Sequence, residues 1–264
     1  MKIGAIQICS VLDYKENLKK IKHYLKEAKE LGVEYIFLPE VFYSMSDGQK
    51  MSPYLVEEGN EHYKNIQELA KKYELYLLGG SAATVSSNKE KAYNRVYNFD
   101  PKGKDLGSYD KMNLFSCDIK KDGSEKRIDE GDTYLKGNTP KVIDVGDFKL
   151  GLSVCFDLRF PELYQNYVRM GAQVMTISSA FTKPTGAAHW HTLVKARAIE
   201  CQCFVVACGQ WGEHNEKMST YGHSLIVGPW GEVLADAGEG EKLVTADIDL
   251  DQIQTVRHSV KVFC

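Results

Sequence analysis

The hydrophobic pattern of this chain switches repeatedly between two periods. Ile3–Ile8 (IGAIQI) and Val33–Glu40 (VEYIFLPE) are short apolar runs that read as strands. Between them Leu18, Ile21, Leu25, Ala28 and Leu31 recur at helical spacing. Asp13 stands before that stripe with Glu16 three residues on, a capping-box-like start. The spacing predicts a helix over Asn60–Lys72 and one continuous strand over Glu74–Ala83. Ala92–Asp100 and Pro101–Lys111 read as two strands around a Pro-Lys-Gly-Lys turn. The second half has the same rhythm. Lys141–Val145, Phe148–Phe156, Ala172–Ala180, Cys203–Gly209, Gly222–Pro229 and Gly231–Gly238 read as strands, the last two joined by a Pro-Trp-Gly turn. Glu162–Met170 and Ala187–Glu200 read as helices.

Alternating helices and strands mean an α/β protein. The late hairpin makes the sheets mixed. Strands this apolar must be covered on both faces, which favours two packed sheets with helices outside over one open sheet. The length, 264 residues, suits one large domain or two small ones, and no low-complexity linker or Pro/Gly-rich hinge divides it. Lys and Arg number 33 against 36 Asp and Glu, a net charge of -3, so there is no basic footprint for nucleic acid. The Lys-rich stretch from Lys19 to Lys29 reads as the solvated face of its helix. No apolar run approaches the roughly 18 residues of a membrane span. Seven cysteines, an odd number without a secretory pattern, point to reduced thiols in the cytoplasm. Cys201, Cys203 and Cys208 lack a second ligand pair at zinc spacing, and ECQCFVVACG reads as a buried strand instead.

In such sheets reactive residues collect just past the carboxyl ends of strands. Glu40 ends YIFLPE, Lys111 closes GSYDK and Cys155 ends LGLSVC. Cys155 also precedes a helical segment with Pro161 near its first turn. A strand, a sharp turn and a helix N-terminus together make a nucleophile elbow, in which the helix dipole and a nearby cation favour thiolate. Backbone N–H groups just after Cys155 would face an incoming carbonyl oxygen. Glu40 and Lys111 are suited to act as base and oxyanion partner. Taken singly, each has a plainer reading: Cys155 as a small core residue, Glu40 as a loop carboxylate, Lys111 as a surface charge.

FLPE at Phe37–Glu40, YDKMNLF at Tyr109–Phe115 and CFDLRFPEL at Cys155–Leu163 resemble, in order and separation, the three signature segments of the nitrilase superfamily, the carbon–nitrogen hydrolases. The resemblance covers nearly the whole chain. It implies a single domain over residues 1–264 with a four-layer α-β-β-α sandwich of two mixed sheets. It also implies Cys155 as nucleophile, Glu40 as general base, and Lys111 with the Phe156 N–H as oxyanion partners. The family's second glutamate falls on Glu130, with Glu125 as the neighbouring alternative. Ser179, Ala180 and Phe181 follow a strand end near Cys155 and read as pocket residues, with Thr182 and Thr185 as alternatives. Asp157, Arg159 and Glu162 read as a local ion-pair and hydrogen-bond set bracing the elbow. His189 and His191 invite a metal reading, but in the family the matching stretch opens a helix beside the pocket. No metal or cofactor is implied.

Within the superfamily, DLRFPEL, TGAAHWHTLVKARAIE and YGHSLIVGPWGEVLA look closest to the branch containing deaminated glutathione amidase and ω-amidase, and QWGEHNEK leans toward the former. The implied substrate is a small carboxylate-bearing amide, cleaved through a thioester with release of ammonia. N-carbamoyl amino acid and nitrile hydrolysis are the neighbouring chemistries. The branch implies a homodimer. Its members usually run past VF into a basic tail that helps pair subunits, whereas this sequence ends KVFC, which makes that pairing less secure. Two rival classes stand against the amidase. One is a silent relative whose Cys155 serves only as a redox thiol; the intact Glu40, Lys111 and Cys155 speak against it. The other is a metal-dependent hydrolase built on His189, His191 and cysteines, which a chelator would expose.

Overall fold

The computed structural model describes residues 1–263 apart from 49, 89, 122, 123 and 217. Its first sheet contains three parallel strands, β1 (Lys2–Gln7), β2 (Tyr35–Phe37) and β3 (Tyr76–Leu78), with β18 (Lys242–Asp247) antiparallel on the edge beside β1. The second runs β10 (Val142–Asp144), β11 (Lys149–Val154), β12 (Val174–Ser179), β13 (Phe204–Gly209), β16 (Leu225–Val227) and β17 (Val233–Asp236). Its centre, β11 to β13, is parallel and its flanks are antiparallel, so both sheets are mixed.

The two-residue period of the strands sorts side chains between layers. Ile3, Ala5, Tyr35, Phe37 and Leu78 join the core shared with the second sheet. Ile6, Ile8, Ile36, Leu38 and Leu77 face the other way, toward α1 (Tyr14–Glu30) and α2 (Glu61–Tyr73). Leu18, Ile21, Leu25 and Ala28 of α1 are buried there, each large aliphatic side chain worth about 1.5–3 kcal/mol. Asp13 caps the helix by accepting from the Lys15 N–H at 2.8 Å. Leu31, expected to continue the stripe, is instead the C-cap and is exposed. On the far side, α3 (Pro161–Arg169) and α4 (Lys183–Cys201) cover the second sheet with Leu163, Tyr164, Tyr167, Trp190, Val194 and Ala198. The result is the expected helix–sheet–sheet–helix order.

A third set of strands flanks this frame: β4 (Ser81–Thr84), β5 (Ala92–Val96) and β6 (Tyr109–Asp110), with β9 (Tyr134–Leu135) beside β5. The continuous strand expected over Glu74–Ala83 is therefore two strands in different sheets. Gly79 is the reason. It sits at φ +76°, and a Cβ there would meet Thr176 Oγ1 at 2.6 Å, so the chain turns at a point where the second sheet leaves no room for a side chain. Ser178 donates to the Gly79 carbonyl across the same gap.

Two hairpins, β7 (Ser116–Lys121) with β8 (Ser124–Asp129) and β14 (Trp211–Asn215) with β15 (Met218–Tyr221), were not expected, nor was α5 (Asp251–Ser259). The segment around Cys201 is also not one strand. Cys201 ends α4, Gln202 caps it at φ 51°, and β13 begins at Phe204. All cysteines among the described residues are free thiols. Among the described residues no helix is long and apolar enough to cross a membrane.

Candidate active site

Glu40, Lys111, Glu130 and Cys155 arrive from four different strand ends and meet. Glu40 lies past β2, Lys111 directly follows β6, Glu130 opens a short 3-10 turn after β8, and Cys155 opens another after β11. Two of these ends are held in an uncommon backbone conformation. Cys155 has φ 48° and Val41, next to Glu40, has φ 45°, the left-handed region that costs a non-glycine residue about 1–3 kcal/mol. The surroundings enforce it. The Val41 N–H donates to Ser81 Oγ at 3.0 Å, and Gln210 Nε2 donates to the Glu40 carbonyl at 2.8 Å.

The Glu40 carboxylate is nearly buried and fully bonded. Oε1 accepts from Asn94 Nδ2 at 2.8 Å and from Lys111 Nζ at 2.9 Å; Oε2 accepts from the Ala180 N–H at 2.8 Å. The wholly buried Lys111 ammonium also reaches Glu130, at 2.8 Å to Oε1 and 2.7 Å to Oε2. Glu130 Oε2 accepts from the Phe115 N–H at 2.7 Å. Glu130 is thus the glutamate on the lysine; the side chain of Glu125 lies outside the described residues.

Two carboxyl side chains share one ammonium in a buried site, so burial and mutual charge together set the electrostatics of the cluster. Burial alone would push Lys111 down, but Glu130, Glu40 and Cys155 outweigh it and hold the ammonium well above its ordinary value. Burial pushes the Glu130 carboxyl up, and Glu40 adds to the shift, against Lys111 and the Phe115 N–H. Burial also pushes the Cys155 thiol well above its ordinary value, reinforced by Glu40 and Glu130, while Lys111 and the Ala180 N–H only partly oppose it. Burial thus opposes the thiolate that the helix dipole and the nearby cation were expected to favour. Burial first, and the neighbouring glutamates second, favour the protonated thiol at rest.

The elbow is braced from two sides. Asp157, fully buried, accepts from the Val154 N–H at 2.9 Å and the Tyr109 hydroxyl at 2.8 Å, and from the N–H and side-chain amide of Asn113, both at 2.9 Å. Tyr109 and Asn113 flank Lys111 at two residues on either side. One carboxylate therefore ties the lysine segment to the cysteine segment. The second brace is Arg197 of α4. Its Nε and Nη2 both donate to the Leu158 carbonyl, at 3.1 and 2.9 Å, and it lies 5.5 Å from the Tyr164 ring.

The expected set of Asp157, Arg159 and Glu162 is therefore corrected in part. Arg159 turns outward to His189 Nδ1 at 3.2 Å, and Glu162 stays exposed in the first turn of α3. The Arg159 guanidinium lies between two rings, 5.8 Å from Phe156 and 5.6 Å from Phe181. Phe156 meets Phe115 edge-on at 5.4 Å, and Phe181 packs against Trp190 at 4.9 Å. Phe156 is also the second residue of the 3-10 turn, where a backbone N–H has no acceptor within the turn. Of the other pocket residues, Ala180 gives its N–H to Glu40, Thr182 pairs with Thr185 at 2.8 Å, and the Ser179 side chain is wholly buried.

Three participants escaped the sequence reading. Asn94 is one; its signal was a polar residue between the buried Ala92 and Val96 of an alternating strand. Tyr134 is another. Burial pushes its hydroxyl up, and Glu130 and Glu40 add to the effect, which places it beside the charge cluster. Arg197 is the third, with no local signal on its helix.

A carbon–nitrogen hydrolase family model matches residues 2–258. The chain is similar to a deaminated glutathione amidase of Dictyostelium discoideum, with 40% identity over 99% of this chain and 92% of that protein. It is also similar to a human deaminated glutathione amidase, with 36% identity over 99% of this chain and 80% of that one. A solved Saccharomyces cerevisiae member of branch 10 of the nitrilase superfamily superposes with a TM-score of 0.86 at 28% identity, covering 100% of this chain and 95% of that one. The expected fold and the expected class of enzyme, a hydrolase of the amidase type, are both borne out. On the matched residues and the relatives alike, the chain belongs to the carbon–nitrogen hydrolase family.

Proposed function

We propose that this protein hydrolyses the amide of a small carboxylate-bearing molecule through a thioester on Cys155, releasing ammonia, with a deaminated-glutathione-type compound as the substrate. The observation that carries the reading is the charge balance built beside Cys155: the buried Lys111 ammonium is shared by the Glu40 and Glu130 side chains at 2.7–2.9 Å.

The chemistry follows from that balance. Glu40 takes the thiol proton as the sulfur attacks the amide carbon, so charge moves without adding to the cluster. The oxyanion that forms is met by Lys111 and the Phe156 N–H, positioned before the reaction begins. Glu40 then passes the proton to the departing nitrogen, the carbon–nitrogen bond breaks and ammonia leaves. Water enters, gives a proton to Glu40 and attacks the thioester. The carboxylic acid departs, and the thiolate recovers its proton from Glu40. Glu130 keeps Lys111 charged and in place. No metal takes part in these steps.

Arg159 is the residue suited to the substrate's carboxylate. It is a half-buried cation flanked by the rings of Phe156 and Phe181, with its Nη2 3.2 Å from His189 Nδ1, and a guanidinium is the side chain best shaped to pair with a carboxylate. The test is ammonia release by wild type and Cys155→Ala over deaminated glutathione, 2-oxoglutaramate, N-carbamoyl amino acids and simple nitriles. Turnover of deaminated glutathione by the wild type alone supports the reading. Preference for 2-oxoglutaramate would make the protein an ω-amidase, and activity on nitriles only would overturn it.

A further inference from the structure

Away from Cys155, three side chains from three elements converge on one point. His191 lies on α4, His223 in the turn after β15 at φ 54°, and Asp236 ends β17. Their ligand atoms all lie within 4.8 Å of one another. Asp236 Oδ2 is 3.0 Å from His191 Nε2 and 3.2 Å from His223 Nδ1. The other oxygen, Oδ1, is fixed by the Gly238 N–H at 2.7 Å and faces His223 Nδ1 at 3.0 Å. Tyr221 stacks on the His223 ring at 4.5 Å and 21°, which holds its orientation.

We propose that His191, His223 and Asp236 form a binding site for a divalent transition-metal ion, with zinc the best fit. Two imidazole nitrogens and one carboxylate oxygen are a zinc ligand set with a fourth position left to water; magnesium and calcium would demand oxygen ligands throughout. Bonds of about 2.0–2.2 Å place tetrahedral ligands about 3.3 Å apart, close to the two nitrogen–oxygen separations observed. The Gly238 N–H supplies the outer hydrogen bond that orients a ligating carboxylate. The site is reachable, since His191, His223 and Asp236 keep 36%, 23% and 33% of their side-chain surface exposed. His189, the sequence neighbour that had suggested a metal pair, is not a member; its Nδ1 lies against Arg159. On binding, each ligating ring nitrogen offers its lone pair, and the proton it had shared with Asp236 moves to the other ring nitrogen or to solvent.

The ion would brace the wall of the pocket. Trp190, next to His191 on α4, donates to the His223 carbonyl at 2.7 Å, and its ring packs on Phe181. Zinc would cross-link α4 to β17 and to the turn that carries this carbonyl.

The test is Zn2+ binding measured by equilibrium dialysis on the full chain. It uses a Cys155→Ala background, so that the candidate nucleophile cannot capture the ion, with His191→Ala and Asp236→Asn added separately. Even outer-shell changes cost metal sites about 10–100-fold, so loss of a ligand is expected to weaken binding by at least roughly tenfold in either variant. Co2+ should give a visible spectrum without a thiolate charge-transfer band, and Zn2+ should raise the Tm of the background protein but not of the two variants. Metal-free melts of each variant check that the fold is kept. Binding unchanged in both variants, a thiolate band in the Co2+ spectrum, or no Zn2+ bound would each overturn the proposal.

Discussion

Replacing Asp157 with alanine is expected to damage stability and catalysis together, because this carboxylate joins the lysine and cysteine segments. Four donors point at it, from Tyr109, Val154 and Asn113, at 2.8–2.9 Å. In Asp157→Ala the Tyr109 hydroxyl and the Asn113 amide can turn to other acceptors, but the two backbone N–H groups cannot. Each buried donor left without an acceptor costs about 1–3 kcal/mol. An opposing effect reduces the sum. Burial pushes the Asp157 carboxyl up from its ordinary 3.8, against the hydrogen bonds from Val154 and Tyr109. A raised folded value means that the stability tied to this group is fully present below the unfolded value and is lost as pH rises through the folded one. At neutral pH the buried charge is thus a cost that the variant relieves. The net loss is about 2–4 kcal/mol, a large part of the 5–15 kcal/mol typical of a folded domain. It should narrow from acid to neutral pH. Displacing the elbow by about an ångström would lower kcat by about 100-fold. Asp157→Asn keeps the shape and one acceptor oxygen, so it should lose about half as much stability. Urea unfolding at two pH values and an ammonia-release assay read both effects. An Asp157→Ala protein within about 0.5 kcal/mol of wild type and with undiminished turnover would refute the reasoning.

Glu40→Gln should retain the fold, since an amide oxygen can still accept from Lys111 or Ala180, yet lose about 10²–10⁴-fold in kcat; near-normal turnover with intact circular dichroism would remove Glu40 as the base. Arg159→Met should lower kcat/KM for carboxylate-bearing amides by about 10–100-fold, the worth of a charge-assisted hydrogen bond, while a neutral amide of similar size is turned over as before; an equal loss on both would assign Arg159 to the elbow instead. The pH profile of kcat/KM should rise on its acid side above the ordinary glutamate value of 4.5, because Glu130 is raised by burial, and should show no alkaline fall below about 9, because the Cys155 thiol and the Lys111 ammonium are both held up. An alkaline limb near neutrality would contradict the protonated resting thiol.

The elements legible in the sequence are those whose pattern is local. The stripe from Leu18 to Ala28 declares itself by its helical period, and β1, β11, β12 and β13 by short continuous apolar runs buried on both faces. β18 was missed because it is an edge strand, half-buried or exposed throughout, and its register with β1 pairs residues about 240 positions apart. The break at Gly79 depends on Thr176 in the opposite sheet, which no local window contains. Glu40, Lys111 and Cys155 were legible because each stands at the end of a recognisable strand. Asn94, the Arg197 clamp on Leu158 and the trio of His191, His223 and Asp236 were not, since each exists only through a partner distant in sequence.

The central claim is that Cys155 carries the acyl group, and the most direct test is intact-mass spectrometry of the enzyme quenched during turnover of a carboxylate-bearing amide. The account predicts an adduct of the acyl mass that peptide mapping places on Cys155, and that Cys155→Ala lacks along with all ammonia release. An adduct on another of the seven cysteines, or ammonia released by Cys155→Ala at the wild-type rate, would contradict it.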